Sequence, residues 1–325
     1  MSNDTVFSID WVSFTVHHGE GVSIWDVLHD AGLDWVDLLI SAGHGGMGYE
    51  SLYWLDLGDS KPIKVYFSRS LPYSTLVFSG QGVDWVGGGV ALFDLIGAMT
   101  VLGFDVKFTR VDLAFDTPLF TPADFMMALQ AGRVNTRVER RKIMEIRELD
   151  GDGHTIYLGS ALSDVRLRVY RKIDAVNHPL GDVFTRVELQ MRSARADAIG
   201  HDLLLIGAGD WYSHCLGVLR GYVDFVGWDG WVQFIGSVPR HWHKLDASVV
   251  SMSKSVGWLF AQVSVTLSVI RAVMSRSDSG GWDKFIASLD DYGKSRMKPR
   301  HTALMRAYEG VDVSTVIELV KSRLS

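Results

Sequence analysis

The sequence predicts an α+β protein: two related antiparallel sheet units with helices packed on one face, plus a mainly helical C-terminal segment. Three observations carry this reading. Runs of alternating apolar and polar residues recur along most of the chain, separated by turn sequences and a few helical stretches. A six-residue sequence occurs twice, FTRVDL at 108–113 and FTRVEL at 184–189, with five of six positions identical. Past about residue 240 the strand pattern gives way to helical spacing. The expected segments are 1–105, an N-terminal sheet unit; 106–240, a second sheet unit; and 241–325, a helical segment.

Each element has a local reason. IDWVSFTV (9–16) alternates loosely as a strand, and SLYWLDL (51–57) and IKVYFS (63–68) flank the turn sequence GDSKP. YSTLVFSGQG (73–82) reads as a strand ending in a glycine turn. GGGVALFDLIGAMTVLG (87–103) has helical spacing and a glycine stop. VKFTRVDLAFD (106–116) is a strand. TPADFMMALQAG (121–132) is a short helix with Thr121 as N-cap, Pro122 at its first position and Gly132 as its stop. RKIMEIREL (141–149), DGDG and HTIYLGS (154–160) form a hairpin. RLRVYRK (166–172) and VFTRVELQMR (183–192) are strands, and a helix over roughly 194–207 follows.

Composition bounds the function. The chain has 325 residues, 47% hydrophobic and 22% charged, which is globular composition at a length that commonly splits into two or three domains. The single cysteine, Cys215, excludes an internal disulfide framework and a cysteine-rich metal site, and fits a reducing compartment. MSNDTVFSIDW lacks the basic and apolar regions of a signal peptide. The apolar stretch 256–273 is interrupted by Gln262 and Arg271, so it reads as a buried helix and no membrane association is expected. A cytoplasmic protein is expected. The net charge of −6 is unevenly spread: residues 1–60 hold ten acids and no Lys or Arg, which leaves 32 basic against 28 acidic residues, or +4, elsewhere. Lys294, Arg296, Lys298, Arg300 and Arg306 fall in an acid-free run from Tyr292 to Tyr308. That run fits either a solvated helix end or a surface that contacts phosphates. No G-x-x-x-x-G-K-[ST] sequence is present, which argues against ATP-driven unwinding by this chain.

Alternate residues of a strand share a face. Arg110, Asp112, Ala114 and Asp116 are therefore expected opposite Val111, Leu113 and Phe115, and Arg186, Glu188 and Gln190 opposite Val187, Leu189 and Met191. In RLRVYRK the polar face carries Arg166, Arg168, Tyr170 and Lys172. If the repeat marks duplicated strands packed about a two-fold axis, two carboxylates meet on one sheet beside a tyrosine and several cations. Hard divalent cations favour carboxylate oxygens, and Mg²⁺ usually takes one or two of them plus a phosphate. A tyrosine oxygen can attack phosphorus and hold it covalently, with neighbouring cations favouring phenolate and offsetting charge on phosphorus. The same pattern also fits ordinary cross-strand ion pairs on a solvated sheet face.

Three blocks in this order, KFTRVDLAFD, HTIYLGSALSDVRLRVYRK and FTRVELQMR, resemble the replication initiation factor family often called Rep_trans, which covers rolling-circle plasmid initiators, filamentous-phage replication proteins and some relaxases. The likeness is closest over about 106–195, and IDWVSFTV and the strand ending SGQG resemble the phage members most. The resemblance implies a site-specific, metal-dependent nicking enzyme in segment 106–240. The tyrosine of the family's R-x-Y-x-K block falls on Tyr170, with Arg168 and Lys172 beside it. The acids of R-[VIL]-D-L-A-x-D fall on Asp112 and Asp116, the glutamate of R-V-E on Glu188, and a Ser-Asp pair on Ser163 and Asp164. Asp112 and Glu188 are the expected ligands of Mg²⁺ or Mn²⁺, with Asp116 next and Glu145 as a further candidate. Arg110, Arg186, Lys294, Arg296, Lys298 and Arg300 are the expected DNA contacts, the last four on a C-terminal DNA-recognition segment. Implied partners are double-stranded origin DNA, single-stranded DNA, a host helicase and polymerase, and a second copy of the chain, because termination needs a second cleavage.

Two other readings compete. RHWHK (240–244) holds His241 and His243 around Trp242, a metal-binding triplet of the other large class of nickases, for which Tyr292 would be the nucleophile. A non-catalytic origin-binding protein would use its Arg and Lys for phosphates alone. Tyr157 is expected to serve as packing or as a base-stacking platform.

Overall fold

Strand β1 (Val6–His17) enters first, followed by β2 (Leu39–Ser41), β3 (Ser51–Leu55), β4 (Ile63–Phe67) and β5 (Tyr73–Ser79). After two helices come β6 (Asp105–Thr117), the short β7 (Val134–Thr136), β8 (Ile143–Arg147), β9 (His154–Leu158), β10 (Val165–Ile173) and β11 (Val183–Arg192). In this computed structural model residues 5–19, 22–136, 142–147, 153–173, 178–181, 183–242, 264–277 and 280–295 are described. All these strands but β7 join one sheet, in the order β2-β3-β4-β5-β1-β6-β11-β10-β9-β8, with antiparallel pairing throughout. The α+β class is as expected. The two sheet units predicted separately are instead continuous, because β6 pairs with β1 on one side and β11 on the other.

Register follows the repeat. Leu113 lies opposite Leu189, the two equivalent last residues of FTRVDL and FTRVEL. Every apolar position predicted on β6, β10 and β11 is buried, including Val111, Leu113, Phe115, Leu167, Val169, Val187 and Leu189. Helix α1 (Ile24–Asp30) packs early in the chain, and α2 (Gly80–Trp85) replaces the glycine turn expected after β5. Gly82 sits in α2 where a Cβ would lie 2.5 Å from the Pro62 carbonyl oxygen, so only glycine fits this approach. Helices α3 (Gly88–Val101) and α5 (Ser193–Leu205) both pack on β6. Phe93 of α3 stacks on Phe108, and Gly200 of α5 lies against the same ring.

Helix α4 (Pro122–Gln130) begins at the predicted cap: the Thr121 hydroxyl accepts from the Asp124 amide and the Asp124 carboxylate accepts from the Thr121 amide. Past α5, helix α6 (Trp211–Tyr222), strand β12 (Val223–Phe225) and helix α7 (Asp229–Ile235) follow, and β12 pairs with β7. Phe120, Phe125, Phe225, Trp228, Trp231 and Phe234 form one aromatic cluster here.

The chain divides into two compact units, Met1–His243 and Lys244–Ser325. In the second, α8 (Ser264–Ser277) packs with α9 (Gly281–Lys294). Val269 and Val273 of α8 are exposed, where the sequence predicts a buried helix. Among the described residues no helix is long and apolar enough to cross a membrane.

Candidate active site

The side of the sheet opposite the apolar faces of β6, β10 and β11 gathers charge. Pairing brings Glu188 between Ala114 and Arg168, Tyr170 opposite Arg186, Arg186 opposite Asp116, and Gln190 opposite Asp112. Arg168 donates to Glu188 Oε2 at 2.6 Å and to the Tyr170 hydroxyl oxygen at 3.0 Å, and that hydroxyl donates to the same Oε2 at 3.2 Å. Arg168 also lies over the Tyr170 ring, its guanidinium carbon 4.3 Å from the centroid. Lys172 is two residues beyond Tyr170 on the same face, opposite Phe184.

Beside this trio runs a second network. Arg186 donates Nε and one terminal nitrogen to the two oxygens of Asp116, at 2.6 and 2.7 Å, and its other terminal nitrogen to Asp10 at 2.6 Å. His178 contacts Asp116 Oδ2 at 3.1 Å. Arg110 holds Asp112 through both carboxylate oxygens, and Gln190 donates to Asp112 Oδ2 at 3.2 Å. Asp112, Asp116, Glu188 and Arg186 are all buried. Removing one partner of such a buried pair is costly because the other charge stays unpaired.

Burial controls the protonation of these groups. Burial, then the Glu188 charge, push the Tyr170 phenol up to about 12, against the pull of Arg168 and Arg186. Flanking cations were expected to make Tyr170 acidic. The phenol is instead less acidic than usual, because burial and the Glu188 charge outweigh the pull of Arg168 and Arg186. Burial also pushes Glu188 up, with Asp10 and Asp112 adding to it against Arg168. Asp112 rises through burial and the nearby Asp10, opposed by Arg110 and Gln190. Asp10, Asp112 and Glu188 thus repel one another electrostatically, and a dication placed among them would relieve that repulsion.

The predicted residues therefore sort into several groups. Tyr170, Arg168 and Glu188 are in direct contact, and Asp112 acts on Glu188 through its charge. Asp116, expected as a further metal ligand, has both oxygens engaged by Arg186. Arg186, expected on DNA, is buried, since all three guanidinium nitrogens serve Asp116 and Asp10. Arg110 keeps a quarter of its side chain exposed while bound to Asp112, and lies over Trp11. Glu145 lies opposite Ile156 on the apolar side, bound to Arg147 and His154, and so is on the wrong face for Tyr170. Tyr157, expected as packing or a base-stacking platform, has the Arg166 guanidinium over its ring at 3.9 Å. Ser163 and Asp164 lie in the turn before β10: Ser163 bonds Ser160, and the Asp164 carbonyl accepts from the Arg192 amide. Lys294 is exposed and paired with Asp290. Arg296, Lys298, Arg300 and His243 lie outside the described residues.

Asp10 is a residue of the charged face that period-two reasoning misses. A β-bulge between Ile9 and Trp11 shifts the register. Ile9 and Val12, three apart, both enter the core, and Asp10 turns to the charged face. The signal in sequence was that odd spacing of apolar residues.

The sequence model of the family described as Replication initiation factor matches residues 106–284. Among solved structures, a rolling circle replication initiator protein from Geobacillus stearothermophilus superposes with a TM-score of 0.56 at 22% identity, covering 73% of this chain and 98% of that one. That likeness is one of fold. The regulatory subunit of aspartate kinase from Thermus flavus aligns at 8% identity with a TM-score of 0.13, too low to bear on the fold. A search of curated proteins by sequence finds no match.

Proposed function

This chain belongs to the replication initiation factor family, and from that premise we propose that it initiates rolling-circle replication by nicking one strand of a double-stranded origin with Tyr170. The observation that carries the proposal is the Arg168–Tyr170–Glu188 contact on the charged sheet face. The Tyr170 hydroxyl already points its proton at Glu188 Oε2, and burial keeps that carboxylate more basic than usual. Glu188 accepts the proton as the phenolic oxygen attacks phosphorus. The bond from phosphorus to the 3′ oxygen breaks, leaving a 5′-phosphotyrosine and, once protonated, a free 3′-hydroxyl that primes a host polymerase. Arg168 holds the tyrosine oxygen in place, and Lys172 offsets charge on the phosphate.

Glu188 and Asp112 are the residues to hold Mg²⁺ or Mn²⁺, with Asp10 added as a third candidate. The donor set fits a hard cation: it is all carboxylate, mutually repelling, and the contacts to Glu188 both fall on Oε2 rather than Oε1. These carboxylates do not converge as a ready-made three-ligand cage among the described residues, which suits a cation that takes one or two of them and a DNA phosphate. Such an ion would supply polarisation of a phosphoryl oxygen and stabilise the leaving oxygen. The stacked pairs Arg110–Trp11 and Arg166–Tyr157 offer platforms for unpaired bases beside the site. The C-terminal unit is proposed to recognise the duplex origin, with a host helicase as partner and a second copy of the chain engaged at termination.

The test is incubation with DNA of the protein's own replicon and Mg²⁺ or Mn²⁺. A covalent protein–DNA adduct that Tyr170→Phe abolishes supports the proposal. An adduct that survives Tyr170→Phe and disappears with Tyr292→Phe transfers the chemistry to the histidine-type reading. Origin binding without any adduct makes the chain a non-catalytic binding protein.

A further inference from the structure

On the helical side of the first unit, Asp202 of α5, His214 of α6 and His241 after α7 bring one ligand atom each within 4.8 Å of one another. From this geometry we infer a second metal site, a Zn²⁺ clip built from Asp202, His214 and His241. One carboxylate and two imidazoles are a donor set for a borderline divalent ion such as zinc. Ligand atoms about 2.0–2.1 Å from a tetrahedral zinc stand about 3.3–3.4 Å apart. His214 Nε2 is 2.8 Å and His241 Nε2 is 3.9 Å from Asp202 Oδ2, spacings that bracket this value. The two imidazole rings lie 4.6 Å apart, centre to centre.

Two further observations set the trio apart from a chance ion-pair cluster. His214 Nε2 is buried and has no aligned hydrogen-bond partner, despite its close approach to Asp202. A buried ring nitrogen in that state costs free energy unless something accepts its lone pair or its proton. The segment carrying His241 is also held firmly in place. The His241 amide donates to the Gly217 carbonyl at 2.8 Å. A Cβ on Gly217 or Gly221 of α6 would strike the backbone of this segment, at 2.8 Å from Pro239 O and 2.2 Å from His241 O. Arg240 is tied to Asp224 at 2.7 Å. The glycine pair one turn apart thus makes a groove on α6, and the segment lies in it with His241 presented toward His214. His241 remains about half exposed, which leaves a fourth coordination position to water.

The clip fastens the chain at the end of the first unit, just before the second begins at Lys244. It joins three elements that no disulfide can join, since Cys215 is the only cysteine. It is independent of the Tyr170 face, whose ligands are carboxylates alone.

The test uses the full-length protein stripped with chelator and titrated with Zn²⁺, and with Co²⁺ as a spectroscopic probe. The expected result is one equivalent of Zn²⁺, a raised melting midpoint and visible Co²⁺ absorption bands. His241→Ala and His214→Gln should each weaken binding at least about 10-fold, the scale at which even outer partners of metal ligands act. The double variant Asp112→Asn/Glu188→Gln should bind Zn²⁺ unchanged. Circular dichroism of His241→Ala, a half-exposed position, checks that the fold survives. Zn²⁺ binding that both histidine variants leave intact overturns the inference. So does the absence of any Zn²⁺-dependent shift in the wild-type protein, which would make the trio an ion-pair cluster only.

Discussion

FTRVDL and FTRVEL lie side by side in β6 and β11, with Leu113 facing Leu189, yet their arginines do opposite things. Arg110 folds back onto Asp112 of its own strand and satisfies both carboxylate oxygens. Arg186 turns away from Glu188 and crosses to Asp116 of β6 and Asp10 of β1. Glu188 is thereby released to Arg168 and Tyr170 on β10. Two nearly identical strands thus give their carboxylates different partners through their neighbours: Asp112 keeps the arginine of its own strand, while Glu188 meets Arg168 and Tyr170 because β11 is flanked by the tyrosine strand.

Breaking the Arg186 side should have the largest effect. Arg186→Met leaves Asp116 and Asp10 without their cation in a buried site and should cost about 3–5 kcal/mol of stability by urea unfolding. Glu188→Gln should keep the fold and lower the adduct rate by about 100-fold or more in single turnover, the scale of a lost general base. The same change removes the charge that helps raise Tyr170. Its phenolate absorbance should therefore titrate with a midpoint below that of the wild-type protein.

A pH test sharpens the contrast. The folded-state pKa of Glu188 is raised, so the folded chain holds that proton to higher pH than the unfolded chain does. Stability from this group is present in mild acid and is lost as pH rises from the ordinary carboxylate range through the folded pKa. The stability of Glu188→Gln relative to wild type should accordingly rise with pH across that window, and melting midpoints of both proteins measure it.

On the β6 side, Arg110→Met should cost less, about 1–3 kcal/mol, because the arginine is partly exposed and Gln190 still serves Asp112. Asp10→Asn should cost least, about 1 kcal/mol, since Arg186 keeps its paired bonds to Asp116. A stability loss in Asp10→Asn equal to that of Arg186→Met would show that Asp10, rather than Asp116, anchors the arginine.

Much of this was legible in sequence. Period-two alternation placed Asp112, Asp116, Arg168, Tyr170, Arg186 and Glu188 on one face, because side-chain direction along a strand is a local property. It could not reach Asp10, which a bulge turns over, or His178, which arrives from the loop between β10 and β11. The zinc candidates were also out of reach as a set: His241 was grouped with His243 by adjacency, whereas packing on Gly217 and Gly221 brings it to His214 and Asp202.

By itself, the amino-acid order determined the α+β class, the long strands β6, β10 and β11, their apolar faces and which of their side chains share the charged face, all consequences of local geometry and of hydrophobic burial. Only the tertiary structure decided that the strands form one sheet, which arginine binds which carboxylate, and whether Tyr170 is made acidic or basic. Those depend on cross-strand register and on desolvation, which exist only once distant segments pack together.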